Sequence, residues 1–151
     1  MAVSTASVTL IDAIIAELQA HLPDALEDAG LPAVKTWDFG QRDLLALTNT
    51  PNIQVDLASA PQTAHGFGHA TRTNRIIVVA VVTAPDEDTM HRYLIGYGDV
   101  ICGVLEAQIN PPFSVTDIDT TPSYQPRGSN ALHRAVAIEA ERMTVRERGA
   151  I

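Results

Sequence analysis

The sequence predicts an α+β domain, a mixed or antiparallel sheet of about four to five strands with two main helices packed on it. Three observations carry that expectation. Apolar residues recur every three to four positions in two separate stretches, a β-branched run lies between them, and apolar and polar residues alternate near the end.

Leu10, Ile11, Ile14, Ile15, Leu18, Leu22, Ala25 and Leu26 fall at i, i+3, i+4 spacing and predict an amphipathic helix over about residues 7–29. Pro23 lies inside it, so a kink or break is expected near His21 and Leu22, with Gly30 and Pro32 ending the segment. Trp37 to Phe39 predicts a short strand. Asn52 to Ala58 alternates Ile53, Val55 and Leu57 against Gln54 and Asp56, as a strand with one wet face does. Arg75 to Thr83 is β-branched almost throughout, the mark of a strand covered on both faces at the centre of a sheet.

The segment from Thr83 to Asp88 then supplies a cap, an early proline and acidic residues that suit the positive end of a helix dipole. Met90, Tyr93, Leu94, Tyr97, Ile101, Val104 and Leu105 keep the helical period to about Gln108, and Pro111-Pro112 forbids continuation. Val115 and Ile118 suggest a short strand. After a loop from Pro122 to Asn130, Val136, Ile138 and Ala140 alternate with Glu139 and Glu141 in a closing strand over about residues 132–145.

No repeat or composition shift divides the 151 residues, so a single domain over 1–151 is expected. With 46% hydrophobic residues the chain has enough apolar material for one core without a staple, and its one cysteine, Cys102, cannot form an internal disulfide. The first residues lack a basic region followed by an apolar stretch, and the run from Ile76 to Val82 is too short to span a bilayer. A protein that begins life in the cytoplasm, away from membranes, is expected. The net charge of −8 disfavours a partner held through phosphate neutralisation.

HGFGH, His65 to His69, is where a catalytic hypothesis would begin. The i, i+4 histidine pair of a metal site converges on a helix, and Gly66 and Gly68 argue against a helix here. In an extended chain His65, Phe67 and His69 share a face, with the two imidazoles about 13 Å apart, too far for one ion. No Lys-Ser/Thr follows the glycines, so a phosphate loop fails too. What remains is a hairpin end, either a plain flexible connection or a subunit contact through Phe67. Asp117 and Asp119 share one face of an extended segment but have no third metal ligand nearby, and Asp86-Glu87-Asp88 is explained by a helix N-terminus. Cys102 has no evident cationic neighbour, no Gly-x-Ser-x-Gly elbow exists, and no sequence motif joins His21, His91 or His133 to a catalytic group. No catalytic residue, cofactor or metal is therefore expected. Gly96, Gly103 and Ala107 form a small-residue stripe on the second helix, which calls for close approach to a sheet or to another subunit.

LIDAIIAELQAHLPDAL, RIIVVAVVTAPDED, MHRYLIGYGDVICGVLEA and RAVAIEAERMTV, taken in that order, resemble the tail terminator or tail completion proteins of tailed bacteriophages, the Mu-like group included. The resemblance rests on element order and texture and covers most of the chain. It implies a structural virion protein that is not an enzyme. Such a subunit forms a hexameric ring with copies of itself on the last ring of the major tail tube protein, stops tube growth and meets a head-tail connector or neck protein. Its lumen lets DNA pass without holding it. The alternatives are a neck protein of similar size, or a small binding or enzymatic domain with a pocket near His65 to His69 and the Asp117/Asp119 pair.

A ring needs one patch of a subunit to meet a different patch of the next. Residues 1–30 carry Asp12, Glu17, Asp24, Glu27 and Asp28 without a Lys or Arg, whereas the end carries Arg134, Arg142, Arg146 and Arg148. The expected contact brings Glu17, Asp24 and Glu27 toward Arg142, Arg146 and Arg148 of a neighbour, with His65, Phe67 and His69 as a further contact loop.

Overall fold

Two long strands paired along their whole length organise the molecule. In the computed structural model, which describes residues 6–42, 49–64, 66, 68–121, 123–124 and 132–147, β4 (His69–Ala84) and β7 (Leu132–Glu147) run antiparallel with an unbroken register from His69↔Glu147 to Ala84↔Leu132. Around this ribbon stand α1 (Ala6–Asp28), β1 (Thr36–Phe39), β2 (Asn52–Ser59), β3 (Gln62–Ala64), α2 (Glu87–Gly103), β5 (Ser114–Asp119) and β6 (Ser123–Tyr124). Among the described residues seven strands form one sheet, ordered β1-β2-β4-β7-β5, with β3 beside β4 and β6 beside β7. The β1–β2 pair is parallel and every other pair is antiparallel, so the sheet is mixed. The fold is α+β as expected. The strands beyond the expected four to five are β3 and β6, three and two residues long, too short to carry a periodic signal.

Both helices cover one face. Ile11, Ile14, Leu18, Leu22 and Leu26 of α1 and Met90, Leu94, Tyr97 and Ile101 of α2 pack against Ile53, Val55, Ile76, Val78, Val136 and Ile138. The break expected near His21 does not occur. α1 continues through Pro23 as one helix, because the ring faces solvent while Leu18, Leu22 and Leu26 are fully buried on the opposite side. One missing N–H costs less than uncovering that row. The helix closes where Gly30 turns to φ +71°, with Gly30 N–H bound to the Glu27 carbonyl and Leu31 N–H to that of Leu26.

α2 begins at Asp86, whose carboxylate accepts from Thr89 N–H at 2.8 Å. Its last turn, Val104–Gln108, widens into a π turn in which Ile109 N–H reaches the Val104 carbonyl at 3.1 Å. The glycine stripe resolves differently from expectation. A Cβ on Gly103 would meet nothing within 4 Å, and Gly96 makes room for Leu31. The close approach falls at Gly98 instead, where a Cβ would stand 2.9 Å from Ile118 Cγ2.

Candidate functional site

The second face of the sheet is where side chains of chemical interest collect. Residues one out of phase with the core point there: Asn52, Gln54 and Asp56 on β2, Ile77, Val79 and Val81 on β4, Ala135, Ala137 and Glu139 on β7, and Asp117 and Asp119 on β5. The register sets them in rows. Asp56, Ile77, Glu139 and Asp117 form one, and Gln54, Val79, Ala137 and Asp119 the next. The result is a trough of about 250 Å³ with an apolar floor of Ile77, Val79, Ala135 and Ala137.

One wall of the trough is built of amides rather than left wet. Gln54, expected on a solvated strand face, is 1% exposed, and Asn52 on the same face is 0% exposed. Their hydrogen bonds explain why. Asn52 Nδ2 donates to Thr36 Oγ1 and Asp38 Oδ2, both at 2.7 Å, Gln54 Nε2 donates to Asn52 Oδ1 at 2.9 Å, and Gln54 Oε1 accepts from Arg42 N–H at 3.0 Å. On this wall Asp56 accepts from Gln41 N–H, and Asp38 also faces Arg42 at 3.7 Å.

The other wall is different. Asp119 Oδ1 accepts from both Thr121 N–H and Thr121 Oγ1, and these bonds hold its carboxyl below the usual range. Asp117 and Glu139 stand directly opposite each other across the β5–β7 ladder. Among the described residues neither carboxylate has a hydrogen bond or an ion pair. A bulge between Val115 and Asp117 creates this juxtaposition, since it shifts the strand by one residue and lets Val115 and Ile118 share the other face. No three His, Cys, Asp or Glu side chains among the described residues come together as a metal site.

Beyond Ile76 the β4–β7 ribbon continues as an arm, joined by β3 into three strands. Gly66, Gly68 and His69 of the HGFGH stretch lie at the start of β4. His69 is exposed and pairs with Glu147, and Gly66 and Gly68 take φ +67° and +80°, a backbone conformation that suits glycine. His65, Phe67 and Arg148 lie outside the described residues. Over residues 69–75 and 141–147 four arginines face two glutamates, while the rest of the chain holds six basic and sixteen acidic residues. The arm is the basic pole of an acidic protein.

The arginines expected to reach a neighbour divide. Arg142 is committed within the chain, with its guanidinium 4.3 Å from the Phe113 ring centroid, Nη1 donating to the Pro111 carbonyl at 2.7 Å, and its pKa lowered by burial. Arg134 pairs with Glu87 at 2.7 Å. Arg146 sits on the arm opposite Ala70. On α1, Asp24 and Glu27 are exposed, while Glu17 faces His21 at 3.2 Å. Cys102 donates to Glu106 Oε1 at 3.0 Å, and burial, that bond and the charges of Glu106 and Asp99 push the thiol up to about 11, away from nucleophile chemistry.

A second concavity, about 600 Å³, opens at the far end of β4 from HGFGH, bounded by Lys35, Thr50, Thr83, Tyr93 and His133 among others. No helix among the described residues is long and apolar enough to cross a membrane. The chain matches no protein-family model, and no curated protein matches it.

Proposed function

We propose that the protein is a virion structural subunit, a tail terminator that caps the tail tube of a bacteriophage as a hexameric ring and joins it to the head-side connector. The observation that carries this reading is the separation of patches on one subunit. An acidic body and a basic arm supply the two unlike surfaces a closed head-to-tail ring needs. The resemblance of the element order to tail terminators supports it. An excess of sixteen acidic over six basic residues outside the arm also suits a lumen through which DNA passes without sticking.

The test is assembly with tube protein. Coexpressed with the major tail tube protein of the same genome, the chain is expected to give short tubes bearing a ring at one end in electron micrographs. Tubes of unlimited length with no ring would end the terminator reading, and binding to the connector alone would assign the protein to the neck. The 600 Å³ cleft beside Lys35 and Tyr93 favours a different second reading, a small ligand-binding domain, for which a folded protein that forms no ring with tube protein is expected.

A further inference from the structure

We infer that the 600 Å³ cleft at the far end of β4 is an anion site, which takes a carboxylate or phosphate headgroup carried on a flat apolar body. The site concerns the cleft alone and does not rest on ring formation.

The charge of the lining is the first ground. The chain holds 18 Asp and Glu against 10 Lys and Arg, yet among the described residues no carboxylate lines this cleft. Two other concavities are walled by carboxylates, the trough by Asp117, Asp119 and Glu139 and the groove beside Arg75 by Glu139 and Glu141. Lys35, the one lysine of the chain, stands on the cleft instead. Among the described residues no carboxylate forms an ion pair with it. Its main chain is fixed in place, because Lys35 N–H donates to the Pro51 carbonyl at 2.8 Å just before β1 begins.

The balance of donors and acceptors points the same way. The Pro51 carbonyl accepts from Lys35 and Thr36 N–H, and the Pro32 carbonyl accepts from the Tyr97 hydroxyl, so both of these lining acceptors are engaged. The hydroxyls of Thr50 and Thr83 bond to each other, which uses one of their two protons and leaves the other to donate. Thr83 stands directly opposite His133 in the β4–β7 ladder, so the imidazole lies beside this pair. An ammonium and a hydroxyl proton are left over, and both bind an acceptor-rich, negatively charged group. The remaining wall sets the ligand's body. Val34, Pro51, Pro85 and the Tyr93 ring add apolar surface, and the cleft's volume lies in the range of small-molecule sites. An ammonium is a point charge on a flexible stem, so it serves a carboxylate and a phosphate alike.

Because Lys35 is the one lysine, its amine can be observed directly. Reductive methylation with isotope-labelled formaldehyde gives the full chain one dimethyl-lysine resonance beside that of the amino terminus, and keeps both charges. Titration with phenyl phosphate and with benzoate is expected to move the Lys35 resonance saturably while the terminal one stays in place, and the tighter of the two anions names the headgroup. Phenol, which has the ring without the charge, should bind at least about tenfold more weakly. In calorimetry on unmethylated protein, Lys35→Gln should weaken the tighter anion at least about tenfold, and Lys35→Arg should keep most of the affinity. Lys35 is exposed, so neither variant disturbs the core, and equal melting temperatures check this. A Lys35 resonance that neither anion moves, or that moves only in step with the terminal one, overturns the inference. So does phenol binding as tightly as the anions, or a Lys35→Gln variant that binds like wild type. A chain that caps tubes but binds neither anion loses the cleft site alone, and one that binds them but forms no ring loses the terminator reading alone.

Discussion

At the scale of single residues, glycines on one helix differ in what holds them there. Gly98 is held by contact, since its missing Cβ is the space occupied by Ile118 and Val136. Gly98→Ala should cost about 1–3 kcal/mol through overpacking, and Ile118→Val should recover part of it. Gly103 sits at φ −60°, ψ −41°, exposed and with open space around it. Gly103→Ala should stabilise by roughly 0.5–1 kcal/mol, since alanine gives up less backbone freedom in a helix. Urea titration of both variants checks the pair, and a destabilised Gly103→Ala would show that the π turn needs glycine before it. The sequence marked Gly96 and Gly103 by spacing along the helix. It did not mark Gly98, because what presses on Gly98 comes from β5 and β7, strands whose distance from the helix is a tertiary fact.

Elements follow from local pattern where they are long and from partners where they are short. The period of α1 and α2 and the β-branched run of β4 were legible because each repeats its signal over several turns or pleats. β3 and β6 were not, and the parallel pairing of β1 with β2 depends on a connection the pattern does not describe. Pro23 misled for a physical reason: a proline's cost is local, whereas the buried row that overrides it spans the helix. The start of α2 shows local chemistry deciding an end. Bonds from Thr89 lower the Asp86 carboxyl below its ordinary 3.8, so the cap's contribution is complete above that pH and is lost as pH falls below it. Asp86→Ala should therefore melt earlier than wild type at pH 7, with the gap narrowing below about pH 4 to what an uncharged cap retains. Asp86→Asn should keep that uncharged part of the cap at every pH. Thermal melts across pH 2–7 decide it, and a gap to alanine as wide at pH 2 as at pH 7 would mean the charge contributes nothing.

For the whole molecule, the candidate site was half legible. The sequence put Asp117 and Asp119 on one face and noticed the basic end. It could not place Glu139 opposite Asp117, which takes a bulge and a register, nor commit Arg142 to Phe113. If copies meet through charged walls, association should weaken as ionic strength passes about 0.15 M, where the Debye length falls to ~8 Å, while the melting temperature, set by the apolar core, hardly moves. Light scattering beside thermal melts reads both, and an association indifferent to salt would show an apolar interface. The margins of the sheet carry a separate consequence. One ends in β1, four residues long with Asp38 in its middle, and the other in β5, broken by its bulge after Val115. Neither β1 nor β5 offers a long flat row of free N–H and C=O groups, and among the described residues the longer unpaired stretch is the outer side of β7 from Arg142 to Glu147. Strand addition, the step that seeds fibres, is thereby confined to one short stretch of edge, and the rest of the sheet's rim is closed to it.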